Sequence, residues 1–106
     1  VVVGRGVAIR GVVMLFMGEI EAAKVALQTA VRLLVSPTYR VDHLIFLGLA
    51  HQAEGELQVA ETHYREALTL AREIGRDESL PHALYHLGDV LRQQGETADA
   101  LRVWDE

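Results

Sequence analysis

Apolar and polar residues follow nearly the same order in three stretches of this chain: "MGEIEAAKVAL" from Met17 to Leu27, "EGELQVAETHY" from Glu54 to Tyr64, and "QGETADALRVW" from Gln94 to Trp104. Each reads as an amphipathic helix opening just behind a glycine. Aligned on those glycines, the match extends in both directions. Gly11, Gly48 and Gly88 stand seven residues before Gly18, Gly55 and Gly95. Ala23, Ala60 and Ala100 stand five residues after the second glycines, and Leu27, Tyr64 and Trp104 four further on. Val7, Leu44 and Leu84 precede the first glycines by four, and Ala30 and Ala67 recur in the first two copies. Self-similarity at such a period is the mark of a stacked-repeat architecture.

Each column has a physical reason. Two glycines seven residues apart lie about two helical turns apart on nearly one face. The first allows close approach of a second helix; the second accepts the left-handed conformation that ends a helix. Glu19, Glu56 and Glu96 follow at the start of the next helix, where its dipole favours negative charge. The alanines are small where a partner helix crosses, and Leu27, Tyr64 and Trp104 fill the space beside them. Each copy is therefore a helix, a tight turn and an antiparallel helix. "SPT" at 36–38 separates the first two copies, with Pro37 breaking the helix and Thr38 as N-cap candidate. "IGRDESLP" at 74–81 separates the next two, with Gly75 as C-cap candidate and Pro81 in a first turn. The pattern predicts an all-α solenoid with helices near 4–17, 20–35, 39–53, 57–74, 80–94 and 97–105. These form repeats at about 4–35, 39–74 and 80–105 of one domain, taken as a piece of a longer protein.

Composition narrows the function. The 106 residues are half hydrophobic but only 6% aromatic, as a helical chain would be. Without cysteine there is no disulfide, thiolate metal site or cysteine nucleophile. A net charge of −5 with interspersed signs argues against nucleic-acid binding. Nine of the ten basic residues are Arg, as a GC-rich, bacterial genome would give. The opening "VVVGRGVAIRGVVMLFMG" is interrupted by Arg5 and Arg10 and is read as a buried or interface-facing helix, not a membrane or signal segment.

The residues from Leu47 to Leu70, "LGLAHQAEGELQVAETHYREALTL", and from Leu87 to Trp104, "LGDVLRQQGETADALRVW", resemble the tetratricopeptide repeat (TPR). The first copy departs, with Arg10 where the others have Leu47 and Leu87, and His51 stands where an aromatic is usual. The spacing of the copies, 37 then 40 residues, exceeds the common period of about 34. It is similar to that of repeats in bacterial signalling regulators and kinesin light chain. The resemblance implies a cytoplasmic protein-binding module whose first helices line a concave groove for a peptide or partner helix. Carried over copy by copy, the groove positions are Arg5, Ala8, Val12, Leu15 and Phe16, then Asp42, Ile45, Leu49, Gln52 and Ala53, then His82, Tyr85, Asp89, Arg92 and Gln93. They grade from oily to polar and lack the Lys and Asn of a carboxylate clamp.

Two other readings stand beside the groove. Val12, Leu15 and Phe16 can instead pack on an upstream repeat, or on a second chain as a homodimer, and the chain can be a structural spacer. His82, His86 and Asp89, at i, i+4 and i+7, can share one face and offer zinc two nitrogens and a carboxylate. Solvated histidines are the commoner case, His51 reads as half-buried packing, and His43 and His63 as surface residues. "GRGVAIRG" lacks a preceding strand and the Lys-Ser/Thr of a phosphate loop, and Glu61 with Arg65 is a helix-face pair. No catalytic residue, metal or cofactor is assigned.

Overall fold

The computed structural model describes residues 2–33 and 36–106, with side chains from residue 9 onward. Six α-helices follow one another: α1 (Val2–Phe16), α2 (Ile20–Leu33), α3 (Pro37–Ala53), α4 (Leu57–Ile74), α5 (Leu80–Gln93) and α6 (Thr97–Trp104). A short 3₁₀ turn, Asp77–Ser79, leads into α5. These are the expected elements. Positions 34 and 35, expected to end α2, lie outside the described residues.

The turn within each pair is built the same way. Gly18, Gly55 and Gly95 take φ values of 84°, 78° and 85°. Each reverses the chain, so that the next amide reaches back five residues: Glu19 N–H to Met14 O at 2.9 Å, Glu56 to His51 at 2.9 Å, Glu96 to Leu91 at 2.9 Å. The same glutamates offer their carbonyls to Ala23, Ala60 and Ala100 as the first bond of the following helix. One residue thus closes one helix and opens the next. Gly75, at φ 69°, ends α4 as expected. The start of α3 differs from expectation: Ser36 is the N-cap and Pro37 the first helical residue. Proline's fixed φ and missing N–H suit that first position, so Pro37 begins the helix instead of breaking it.

Pairing is set by the other glycines. A Cβ added to Gly11 would come within 2.8 Å of Leu27 Cγ, one on Gly48 within 2.8 Å of Tyr64 Cδ1, and one on Gly88 would meet the Trp104 indole. Each large residue of a second helix therefore sits on the bare backbone of its own first helix. Successive pairs then stack. Val41, Leu44 and Ile45 of α3 join Tyr64 and Leu68 of α4 and Leu87, Val90 and Leu91 of α5 in one core, while Ala23 and Leu27 of α2 share a smaller one with Leu47 and Ala50 of α3. Polar ties reinforce the stacking. Lys24 Nζ meets Glu56 at 2.8 Å, and Arg76 donates to Asp42 at 3.0 Å and to the Thr38 carbonyl at 2.8 Å. The result is a slab of about 41 × 30 × 17 Å.

Replacing Gly48 by Ala sets two effects against each other. Helix propensity favours alanine by about 1 kcal/mol, while overpacking costs about 1–3 kcal/mol. Here overpacking wins, because Tyr64 is fully buried and its hydroxyl is held by Gln52 at 2.7 Å, so the ring has nowhere to go. Gly48→Ala is expected to lose about 1–2 kcal/mol in urea unfolding, against the usual gain for a helical Gly→Ala change.

Candidate functional site

The first helices of successive pairs lie side by side along one side of the slab. Among the described residues α1 packs on α3 and α3 on α5, with nothing comparable between α2 and α4 or α4 and α6. Sequence places the expected groove residues along this side, and the structure sorts them. The side chains of Arg5 and Ala8 lie outside the described residues. Val12, Leu15 and Leu49 are half-buried, and Phe16, Ala53, His82, Tyr85, Arg92 and Gln93 are exposed. Ile45 is the correction: only 7% exposed, it belongs to the core. It shares a buried stripe with Val41 and Gly48, at i−4 and i+3, which faces the neighbouring helices.

Phe46, next to Ile45, was not among the expected residues. Its ring meets Phe16 edge-on at 6.4 Å and His43 at 5.7 Å, continuing the apolar run from α1 onto α3. The signal was present in the sequence, since Asp42, Phe46 and Leu49 fall at i, i+4 and i+7.

Polar residues of the groove are joined to one another. Gln52 donates to Asp89 at 3.0 Å and to Gln93 at 2.8 Å while accepting from Tyr64, and Arg92 donates to Asp89 at 2.8 Å. Burial, and then the nearby Asp89 carboxylate, hold the Tyr64 hydroxyl well above its ordinary range, so it remains a donor. Asp42 is occupied by Arg76 and Ser79. This half of the surface is a pre-ordered network that presents edges of Gln52, Arg92 and Gln93.

The histidines divide. His82, His86 and Asp89 do not gather into a metal site, and no group of three such residues does so among those described. Asp89 is taken by Gln52 and Arg92, and the His86 ring stacks on Tyr64 at 5.7 Å. His51 is more deeply buried than expected, at 6% exposure, with Nδ1 3.0 Å from Glu56. His63 is no simple surface residue: it stacks on His51 at 5.3 Å and its Nδ1 is buried without a hydrogen-bond partner. Burial, and then His51, push His63 below its ordinary value of 6.5 against the pull of Glu66; burial and His82 do the same to His86 against Asp89. His43 hydrogen-bonds the Tyr39 carbonyl at 2.8 Å.

Antiparallel helix pairs seated on glycines and stacked one on the next define an α-helical repeat protein. The tetratricopeptide repeat family model matches residues 38–103, and the chain belongs to that family. Tetratricopeptide repeats are protein-interaction units. The chain is also similar to the "Probable biofilm formation methyltransferase WspC" of Pseudomonas putida, 41% identical over 58 residues. That match takes in 55% of this chain and 12% of the relative's length. Among the described residues no helix is long and apolar enough to cross a membrane.

The lowered histidines fix the sign of the pH dependence. A native state that resists protonation binds fewer protons than the unfolded chain, so stability is fully present above about pH 6.5 and is lost as pH falls through the native values. Thermal melts are expected to drop as pH falls below about 6.5, and His63→Leu to flatten part of that slope.

Proposed function

We propose that the chain is a recognition module that holds an amphipathic helix or a mostly apolar peptide of a partner protein against the inner side of α1, α3 and α5. The observation that carries this reading is the run of apolar side chains, Val12, Leu15, Phe16, Phe46 and Leu49, left partly open on that side. It passes directly into the ordered polar network around Gln52 and Asp89. A helix with an apolar stripe and one polar flank matches such a surface, the stripe anchoring and the flank setting register. The family supports a binding role. The relative's name concerns a much longer protein, within which a segment like this one would serve to recognise a partner.

A displayed library of helical peptides tests the reading. Selected binders are expected to lose roughly tenfold or more in affinity on Phe16→Glu or Leu49→Glu, the size of one anchoring contact. Gln58→Glu, on the exposed side of α4, is expected to change nothing. Binders indifferent to both groove substitutions would place recognition elsewhere.

A further inference from the structure

Two stacked histidines lie where the first helix pair meets the second. His51 of α3 is buried, and Glu56, whose carboxylate lies 3.0 Å from Nδ1, fixes the proton on that nitrogen. Its Nε2 is then a bare lone pair, buried with no hydrogen-bond partner among the described residues. The His63 ring of α4 lies against it at 5.3 Å, 28° from parallel, with Nδ1 equally buried and unpartnered. The same Glu56 oxygen receives Lys24 Nζ of α2 at 2.8 Å, which ties the first pair to the second. His63 also lines a cleft of about 340 Å³ between α2 and α4, with Leu47 of α3 in its wall. From α2 this cleft receives Gln28, Val31 and Arg32, so the one charge brought there is positive.

We propose that His51 and His63 form an acid-operated latch: a proton taken up by His63 opens the junction of α2 with α3 and α4, swinging the first helix pair off the second while α3–α6 stay folded. The closed junction has no good place for another cation. A protonated His63 faces Arg32 across the cleft and lies against His51, and its buried Nδ1 has no acceptor to meet. Glu66 opposes this from 3.8 Å, but it is largely exposed and shares its surroundings with Arg40 and Arg65. Glu56 is already engaged by Lys24 and His51. Once the junction parts, water can solvate both rings. Burial, and then His51, hold His63 below its ordinary value in the closed form. The open form therefore binds the proton more tightly, and acid draws the equilibrium toward it. The first junction is also the weaker one. Ala23, Leu27, Leu47 and Ala50 make up its buried core, whereas the larger core around Tyr64 joins α3, α4, α5 and α6. Sub-global opening follows such a difference in burial. This device is separate from groove recognition, and neither depends on the other.

Distances between paired spin labels test it on the whole chain, which has no cysteine of its own. Labels on Val25→Cys of α2 and Val59→Cys of α4, both exposed, report the junction. Labels on Val59→Cys and Leu101→Cys report α4 against α6 as a control. At about pH 7.5 the junction labels are expected to give one distance. As pH falls through the unit below about 6.5, a second, longer distance is expected to appear. Its ratio to the first is expected to rise by up to about tenfold, as uptake of one proton allows, with the control distance and the helical circular dichroism unchanged. His63→Leu is expected to abolish the longer distance. Arg32→Gln, at an exposed position, is expected to reduce it severalfold and serves should His63→Leu disturb folding. A single junction distance at both pH values would overturn the proposal. So would a longer distance that persists in His63→Leu, which would put the titrating group elsewhere. A change in both label pairs together with loss of circular dichroism would also overturn it, as general acid unfolding.

Discussion

Everything in this molecule rests on a large side chain lying on a glycine. Where Tyr64 meets Gly48, the missing Cβ is what lets α4 come close enough to α3 for Ala60 to be fully buried. The seat also fixes rotation. With the Tyr64 ring held there and its hydroxyl on Gln52, α4 can turn neither way, and the residues that share its stripe, Ala67, Leu68 and Ala71, face inward with it. The next pair packs into the same core. Leu27 on Gly11 and Trp104 on Gly88 repeat the device with side chains of different size. A flexible leucine can yield where a buried ring cannot, so the three seats differ in tolerance.

From that constraint the surface follows. Pairs that close tightly at the glycine bring the first helices together on one side, and the positions not consumed by the seats become the inner surface. Its apolar half exists because α1 is oily on more than one side; its polar half is ordered because Gln52 links Tyr64, Asp89 and Gln93 across two pairs. The groove and the packing therefore share residues. Substituting Gln52 would disturb both a binding edge and the register of α5 on α3.

The fold was legible because the repeat states it three times. Glycine pairs, alanines and large residues recur at fixed spacing, and each has one physical use, so helix order and turn positions follow from the columns alone. The start of α3 was misread because proline both stops and starts helices; here Ser36 holds the extended N-cap position and Pro37 begins the helix. The candidate surface was less legible. Ile45 and Phe46 are adjacent apolar residues, and a rotation of one position about α3 decides which is buried. His63 could not be placed from its own helix, because its burial comes from His51 on another. Spacing put His82, His86 and Asp89 on one helix, but Gln52 of α3, besides Arg92 of the same helix, occupies Asp89, and Tyr64 of α4 stacks on His86.

Native-state hydrogen exchange, resolved by residue, tests most directly the claim that neighbour stacking on the glycine seats holds the chain together. Amides of α3, α4 and α5, which share the larger core around Tyr64, are expected to exchange slowest and together. Those of α1, packed from fewer sides, are expected to open at lower free energy. Uniform protection across all six helices, or a maximum in α1, would contradict the account.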